Sequence, residues 1–185
     1  PEATKFREKR RHCLENPQAV QLLSERLVRD EDQVAGVLDA LTLDAEDGVI
    51  SMERLQQLRG QAEARNAFIR SVELLTSSMV GELGGSAARN TSALASRWKS
   101  EGRIFAVPSG RADLYPAFQF DVHGQPRPVI AEVLRHLEQE SDWTRALWWT
   151  SPSGWLDGRR PVDMLDEDTA SVIEAARGAA EPLEV

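Results

Sequence analysis

Residues 76–120 decide the fold, and they read TSSMVGELGGSAARNTSALASRWKSEGRIFAVPSGRADLYPAFQF. The hydroxyl-rich start can cap a short helix, because a side-chain oxygen accepts hydrogen bonds from the free N–H groups of the first turn. Gly84-Gly85 then permits a tight turn. A second helix follows, roughly from Asn90 to Ser100, with Leu94 and Trp98 on its inward face. The stretch therefore predicts a helix, a turn and a second helix.

Strand chemistry begins after this second helix. Residues 103–107 form a short β-prone run, residues 108–110 carry turn residues, and residues 114–120 resume an alternating pattern. Pro116 confines its strand to an edge or shortens it, because proline has no N–H to donate. Helix, turn, helix and hairpin is the order of a winged helix-turn-helix, whose second helix enters the major groove of DNA.

The outward face of the second helix and the hairpin supply the candidate DNA contacts. Asn, Thr and Arg side chains can bond base edges, whereas Lys99, Arg103 and a wing Arg111 can meet phosphates. Residues 86–113 hold five basic and two acidic side chains, a local charge of +3. The alternative is an α-plus-hairpin domain whose polar helix face meets only water. The DNA-facing candidates are Arg89, Asn90, Thr91, Ser92, Arg97, Lys99, Arg103 and Arg111.

This stretch resembles the winged-helix domains of excisionases and MerR-type regulators. Their pattern is a helix, a glycine-containing turn, a helix ending in Trp or Arg, then Gly-Arg, a strand and a wing. The matching residues here are Leu83-Gly84-Gly85, Arg97-Trp98, Gly102-Arg103 and residues 104–107. The interval from Gly85 to Gly102 departs from the pattern by being longer, so the resemblance does not fix the base-reading residues.

Helical periodicity dominates the chain on both sides of this region. Residues 1–71 predict a helical region, entered at Asn16-Pro17 and ending with a helix that begins near Ser51. Helical spacing returns after a loop at residues 121–128, and Ser141 and the acidic run 166–168 suit helix starts. We expect a mainly α fold with one small β-hairpin. The predicted units are a helical region at 1–71, which could pair in a dimer, a winged helix-turn-helix at 72–122 and a helical module at 123–185.

Four of the five tryptophans fall between Trp143 and Trp155. Gly158 lets the chain turn sharply and Pro161 suits the start of a short helix. Trp and Arg together dominate the energetics of protein–protein interfaces, so a partner surface is predicted here. The alternative, left open for the first three tryptophans, is the core of a small helical bundle. The partner-facing candidates are Trp155, Leu156, Asp157, Arg159, Arg160, Asp163 and Met164.

A stretch of about forty residues that includes this tryptophan cluster resembles the C-terminal toxin-binding domain of the Xre/MbcA/ParS antitoxin family. The match consists of Trp148-Trp149, Pro152-Ser153, Leu156, Gly158, Pro161, Met164-Leu165 and Val172. Ser153 departs from the family pattern, which has Asn there. The resemblance implies an antitoxin that binds DNA, represses its own transcription and holds an NAD-consuming toxin of the RES class through residues 155–164 and the last helix.

Composition limits the other possibilities. The net charge of −8 argues mildly against nucleic acid, but residues 161–185 alone contribute −6, from one Arg and seven acids. No stretch approaches the ~18 apolar residues of a membrane span. The basic N-terminal run lacks a following apolar segment, so we expect no secretory signal. The single Cys13 cannot form an internal disulfide, which fits a reducing cytoplasm.

No residue pattern indicates an enzyme. The sequence has neither a phosphate-binding glycine loop nor a Gly-x-Ser-x-Gly motif, and its three histidines lack metal-ligand spacing. The Asp47-Gly48 turn does not form a calcium loop, because Leu43, Ala45 and Arg54 occupy its ligand positions. We expect no catalytic residue, cofactor or metal. The sequence predicts a cytoplasmic, dimeric DNA-binding repressor of the antitoxin type, and the alternative is a protein–protein adaptor or dimeric scaffold.

Overall fold

The computed structural model describes residues 52–85, 91–110 and 112–181. The predicted helices before Met52, with their possible role in dimerisation, and the candidates Arg89, Asn90 and Arg111 lie outside the described residues. Within the described part the fold is mainly α with a small antiparallel sheet, as predicted. The elements are α1 (Met52–Ser71), β1 (Leu74–Thr76), α2 (Ser77–Leu83), α3 (Ser92–Ser100), β2 (Val107–Ser109), β3 (Ala112–Pro116), α4 (Pro128–His136), α5 (Asp142–Thr150) and α6 (Thr169–Ala180).

The sheet has three strands in the order β1–β3–β2, all antiparallel. The hairpin was predicted, but β1 was not, because three residues directly after a helix are too short to show a period. Strand β2 runs through Pro108, which the sequence placed in the turn. As an edge strand it pairs only with β3, so the missing N–H of Pro108 leaves the ladder intact. Pro116 ends β3, so the expected shortening is found, but β3 is the central strand of the sheet and not an edge.

Two hydrophobic cores lie on opposite faces of this sheet. Consecutive residues of an extended chain point to opposite sides, so Leu75 and Tyr115 face α2 and α3, whereas Leu74 and Leu114 face the C-terminal helices. The buried run 104–106, which leads into β2, alternates in the same way. The sheet is thus the middle layer between the helix-turn-helix and the helices that follow it.

A buried amide holds the run before β2 in place. The Gln119 side chain is fully buried, and its Oε1 accepts from the Phe105 N–H at 2.7 Å. Its Nε2 donates to the carbonyls of Phe105 at 3.0 Å and Pro116 at 3.2 Å. The side chain therefore bonds the Phe105 backbone on both sides, as a neighbouring strand would.

Hydroxyl and carboxylate caps set the starts of three helices. Thr76 Oγ1 accepts from Met79 N at 3.3 Å at the start of α2, and Ser141 Oγ accepts from Thr144 N at 3.1 Å at the start of α5. Asp168 caps α6 in the same way. These caps were predicted from the sequence and are confirmed.

A short loop, residues 121–127, connects the sheet region to α4 and the other C-terminal helices. Asp121 Oδ1 accepts two backbone N–H bonds, from His123 at 2.8 Å and Gln125 at 2.9 Å. Gly124 lies so close to α2 that an added Cβ would be 2.3 Å from a carbonyl oxygen of that helix. Arg127 donates to Asp166 at 2.6 Å, across to the segment before α6. The loop therefore contacts both α2 and the segment before α6.

None of the described helices combines the length and apolar character needed to cross a bilayer.

Candidate nucleic-acid interface and partner surface

Helices α2 and α3 approach each other at glycines. A Cβ at Gly81 would lie 2.0 Å from the carbonyl oxygen of Thr91, and one at Gly84 would lie 2.6 Å from the Trp98 ring. Trp98 is 3% exposed and packs beside Phe120, with ring centroids 6.2 Å apart. The prediction that Trp98 lies on the inward face of the helix is confirmed. These contacts leave no room for a side chain at either glycine between α2 and α3.

The opposite face of α3 is open to solvent and polar. Ser96, Arg97 and Ser100 are exposed, whereas the candidates Thr91 and Ser92 are only half-buried at the start of the helix. The hydroxyls of Ser96 and Ser100 donate to carbonyls within the helix. Arg97 has 63% of its side chain exposed.

Each of the described cations Arg97, Lys99 and Arg103 has an acidic neighbour. Glu101 lies 3.8 Å from Arg97 and 3.6 Å from Arg103, and Asp113 on β3 accepts a bond from Lys99 at 2.8 Å. Arg103 also lies over the Trp98 ring, 5.4 Å from its centroid. The cations remain between one third and two thirds exposed. Exposed pairs of this kind are weak, so an incoming phosphate can replace the carboxylate.

The acidic partners are what the sequence argument missed at this site. The Arg97–Glu101 spacing of four residues is the usual spacing of a helical ion pair and could have been found. Lys99 and Asp113 are 14 residues apart, and only the return of the chain in β3 brings them together. Among the described residues, Arg97 and Arg103 share the acidic neighbour Glu101, whereas Lys99 lies beside Asp113 of β3.

Trp155 is the most exposed large apolar side chain among the described residues, at 66%. Its indole lies against α6, because a Cβ at Gly178 would be only 2.7 Å from the ring. A groove of about 290 Å³ runs along α6 beside this ring, with Ser171, Glu174 and Arg177 among its lining residues. The indole therefore packs one side against α6 while most of the residue's surface meets solvent.

Ion pairs organise the loop between Trp155 and α6. Asp157 adopts a left-handed conformation with φ 53°, and Arg159 pairs with Glu167 at 2.6 Å. Arg160 pairs with Asp163 through two bonds of 2.7 Å each. The hydrogen bond from Arg160 lowers the pKa of Asp163 below its ordinary value. All four of these predicted partner-facing charges are exposed.

For two of the residues predicted to face a partner, the prediction was wrong. Leu156 is 4% and Met164 is 7% exposed, and both side chains pack into the core under α5 and α6. They are apolar residues of short 3-10 turns, Gly154–Leu156 and Pro161–Met164, whose inward side closes that core. Only Trp155 and the charged residues of the predicted set remain available to a partner.

The other tryptophans of the cluster serve the core. Trp149 is fully buried, with ring contacts to Phe118 at 5.7 Å and Trp148 at 5.0 Å. Trp143 and Trp148 are partly buried against the same core. Of the two alternatives for these three residues, the helical-bundle core is the one found.

Comparison with known proteins adds no relative: no protein-family model, curated protein or solved structure matches the chain. Among the described residues, moreover, no group of three or more His, Cys, Asp or Glu side chains is placed to hold a metal ion.

Proposed function

We propose that the protein is a non-enzymatic, DNA-binding transcriptional regulator that lays α3 in the major groove of a duplex. The observation that carries the proposal is the order helix, strand, helix, helix, hairpin, with the strands arranged β1–β3–β2. This arrangement leaves the outer face of α3 uncovered and places a hairpin beside it. Winged helix-turn-helix proteins use these two elements to contact bases and the DNA backbone.

Local charge supports the proposal despite the net charge of −8. The described cations in and just after α3 are Arg97, Lys99 and Arg103, and they outnumber the two acids that pair with them, Glu101 and Asp113. The described acids of residues 161–181 lie in the C-terminal module, and four of these six pair with nearby arginines. The field that a duplex meets depends on this local placement more than on the total.

The regulator acts in this proposal as a cytoplasmic homodimer that represses its own operator. One short recognition helix gives modest affinity, and two half-sites bound together raise it steeply. The C-terminal module holds a protein partner, which the antitoxin resemblance suggests is a toxin of the RES class. Its contact surface is the exposed indole of Trp155 with Arg159 and Arg160, since exposed Trp and Arg are the usual centres of such interfaces.

Fluorescence anisotropy with a duplex from the protein's own upstream region, repeated over salt, tests the DNA-binding part. Wild type should bind with an affinity that falls as salt rises, because phosphate contacts release counterions. Arg97→Ala should bind about tenfold more weakly, with a salt slope smaller by about one phosphate contact.

Arg135→Ala is the matched control for this measurement. Arg135 is also an exposed helical arginine, 71% exposed and paired with Glu132 one turn away, but it lies on α4. Its removal should leave duplex binding unchanged. Equal losses in the two variants would show that the duplex does not engage α3 and would reject the proposal.

The partner part needs a separate experiment. The full chain is co-expressed with the product of the neighbouring gene, and the two are purified through a tag on the regulator. Trp155→Ala should release the partner, whereas Val122→Ala, which truncates another exposed apolar side chain, 47% exposed, should retain it. Retention by the Trp155 variant contradicts the proposed surface.

A second candidate function is a protein–protein adaptor whose helix-turn-helix never meets DNA. The observation in its favour is that Glu101 and Asp113 already pair with the described cations of the α3 surface. An adaptor would retain the partner in the co-purification yet show no salt-dependent duplex binding. The two experiments together therefore separate the candidates.

A further inference from the structure

Lys99 and Asp113 join the recognition helix to the wing. The ammonium of Lys99, in the last turn of α3, lies 2.8 Å from Oδ2 of Asp113 on β3. The two side chains are 34% and 39% exposed, so each keeps a solvent-facing side. In the β2–β3 ladder Asp113 stands opposite Pro108. The pair therefore spans the angle between the two elements that a duplex would touch.

We propose that Asp113 sets the DNA affinity of this protein by competing with DNA phosphate for the ammonium of Lys99. The inference rests on the proposed function and deepens it, because it names a carboxylate of the binding surface as a built-in competitor. In the free protein the carboxylate holds Lys99. In the complex a phosphate displaces it, and the released carboxylate is left close to the anionic backbone.

The geometry favours competition over simple support of the wing. A carboxylate and a phosphate that approach the same ammonium are like charges a few ångströms apart, and their repulsion opposes binding. Glu101 cannot act in the same way on Lys99, because its contacts are to Arg97 and Arg103, at 3.8 and 3.6 Å. Those distances exceed hydrogen-bond length, so these two cations are held loosely. Lys99 alone of the three is held within hydrogen-bond distance, by an acid of the wing.

Asp113→Asn tests the proposal, since the amide keeps the shape and an acceptor oxygen but removes the charge. The probe is a fluorescein-labelled duplex of random sequence, which isolates contacts to phosphate. We expect the variant to bind about fivefold more tightly than wild type near 0.1 M salt, the upper range for an exposed pair. The gain should shrink as salt rises, because screening weakens both the pair and the repulsion.

Lys99→Met provides the background that identifies the mechanism. Without the Lys99 ammonium, Asp113 has no cation to hold back from the phosphate. Adding Asp113→Asn to Lys99→Met should therefore raise the affinity for the duplex by less than about twofold. A gain as large as in the wild-type background means that Asp113 acts only as a diffuse charge and overturns the proposal. Tighter binding that is lost in the Lys99→Met background supports it.

Thermal unfolding of each variant checks that the wing is intact, and Asp113→Ser replaces the Asn variant if the latter does not fold. Weaker or unchanged binding by a folded Asp113 variant overturns the competition while the DNA-binding proposal stands. If the wild-type protein binds no duplex, both the competition proposal and the DNA-binding proposal are wrong.

Discussion

The packing of α2 on α3 makes Gly81→Ala the most informative single substitution. The new Cβ would meet backbone, at 2.0 Å from the Thr91 carbonyl oxygen and 2.6 Å from its carbon, rather than a flexible side chain. Alanine in a helix gains about 1 kcal/mol over glycine. Overpacking against a backbone that can move only with its helix costs about 3 kcal/mol or more. The net destabilisation should be about 2 kcal/mol or more, a fall in Tm of about 4–8 °C for a chain of this size.

Gly60→Ala isolates the packing contribution, because Gly60 is also helical but nothing lies within 4 Å of its added Cβ. There only the helix propensity changes, so stability should rise by up to about 1 kcal/mol. Urea unfolding followed by circular dichroism measures both variants against wild type. A Gly81→Ala protein as stable as wild type would refute the close α2–α3 contact. Since Thr91 directly precedes α3, the folded Gly81 variant should also bind duplex less well.

Two further predictions concern the sheet. Tyr115 is the chain's one tyrosine, and burial, with a smaller effect of the Asp113 charge, raises its pKa from 10.0 to about 12. The stability that the neutral Tyr115 hydroxyl contributes should therefore be complete below pH 10 and disappear as the pH rises through 12. In a pH titration, tyrosinate absorbance should show one transition with a midpoint near pH 12. A midpoint near 10 would contradict the buried position of the ring. Gln119→Leu leaves the buried N–H and carbonyl of Phe105 without hydrogen-bond partners, which should lower the free energy of unfolding in urea by about 2–4 kcal/mol. A decrease below about 1 kcal/mol would mean that those groups find other partners.

Local signals in the sequence predicted most of the helical architecture. The caps at Thr76, Ser141 and Asp168 depend on side chains two or three residues from the N–H groups they bond, so a linear pattern is enough to find them. Strand β1 and the burial of Gln119 were missed for the opposite reason. Each acquires its role only when β3 and the residues after it return to the sheet, and that contact is long in sequence.

The candidate site was predictable in composition but not in pairing. The exposure of Arg97 and the burial of Trp98 follow from the helical repeat, since adjacent residues point to different faces. The predicted partner-binding segment, residues 155–164, was harder to predict from the sequence, because it consists of short 3-10 turns without a regular hydrophobic period. Leu156 and Met164 were therefore assigned to the surface by their neighbours, although the fold turns them inward.

Photo-cross-linking from α3 tests the central claim most directly. A benzophenone-bearing residue is placed at Ser96, which is exposed on the outer face of α3, and in a second protein at Glu132, exposed on α4. The DNA-binding proposal predicts that the first protein cross-links to a duplex, that the yield falls as salt rises, and that the second protein gives no product. Absence of a cross-link from position 96, or equal yields from both positions, would contradict it.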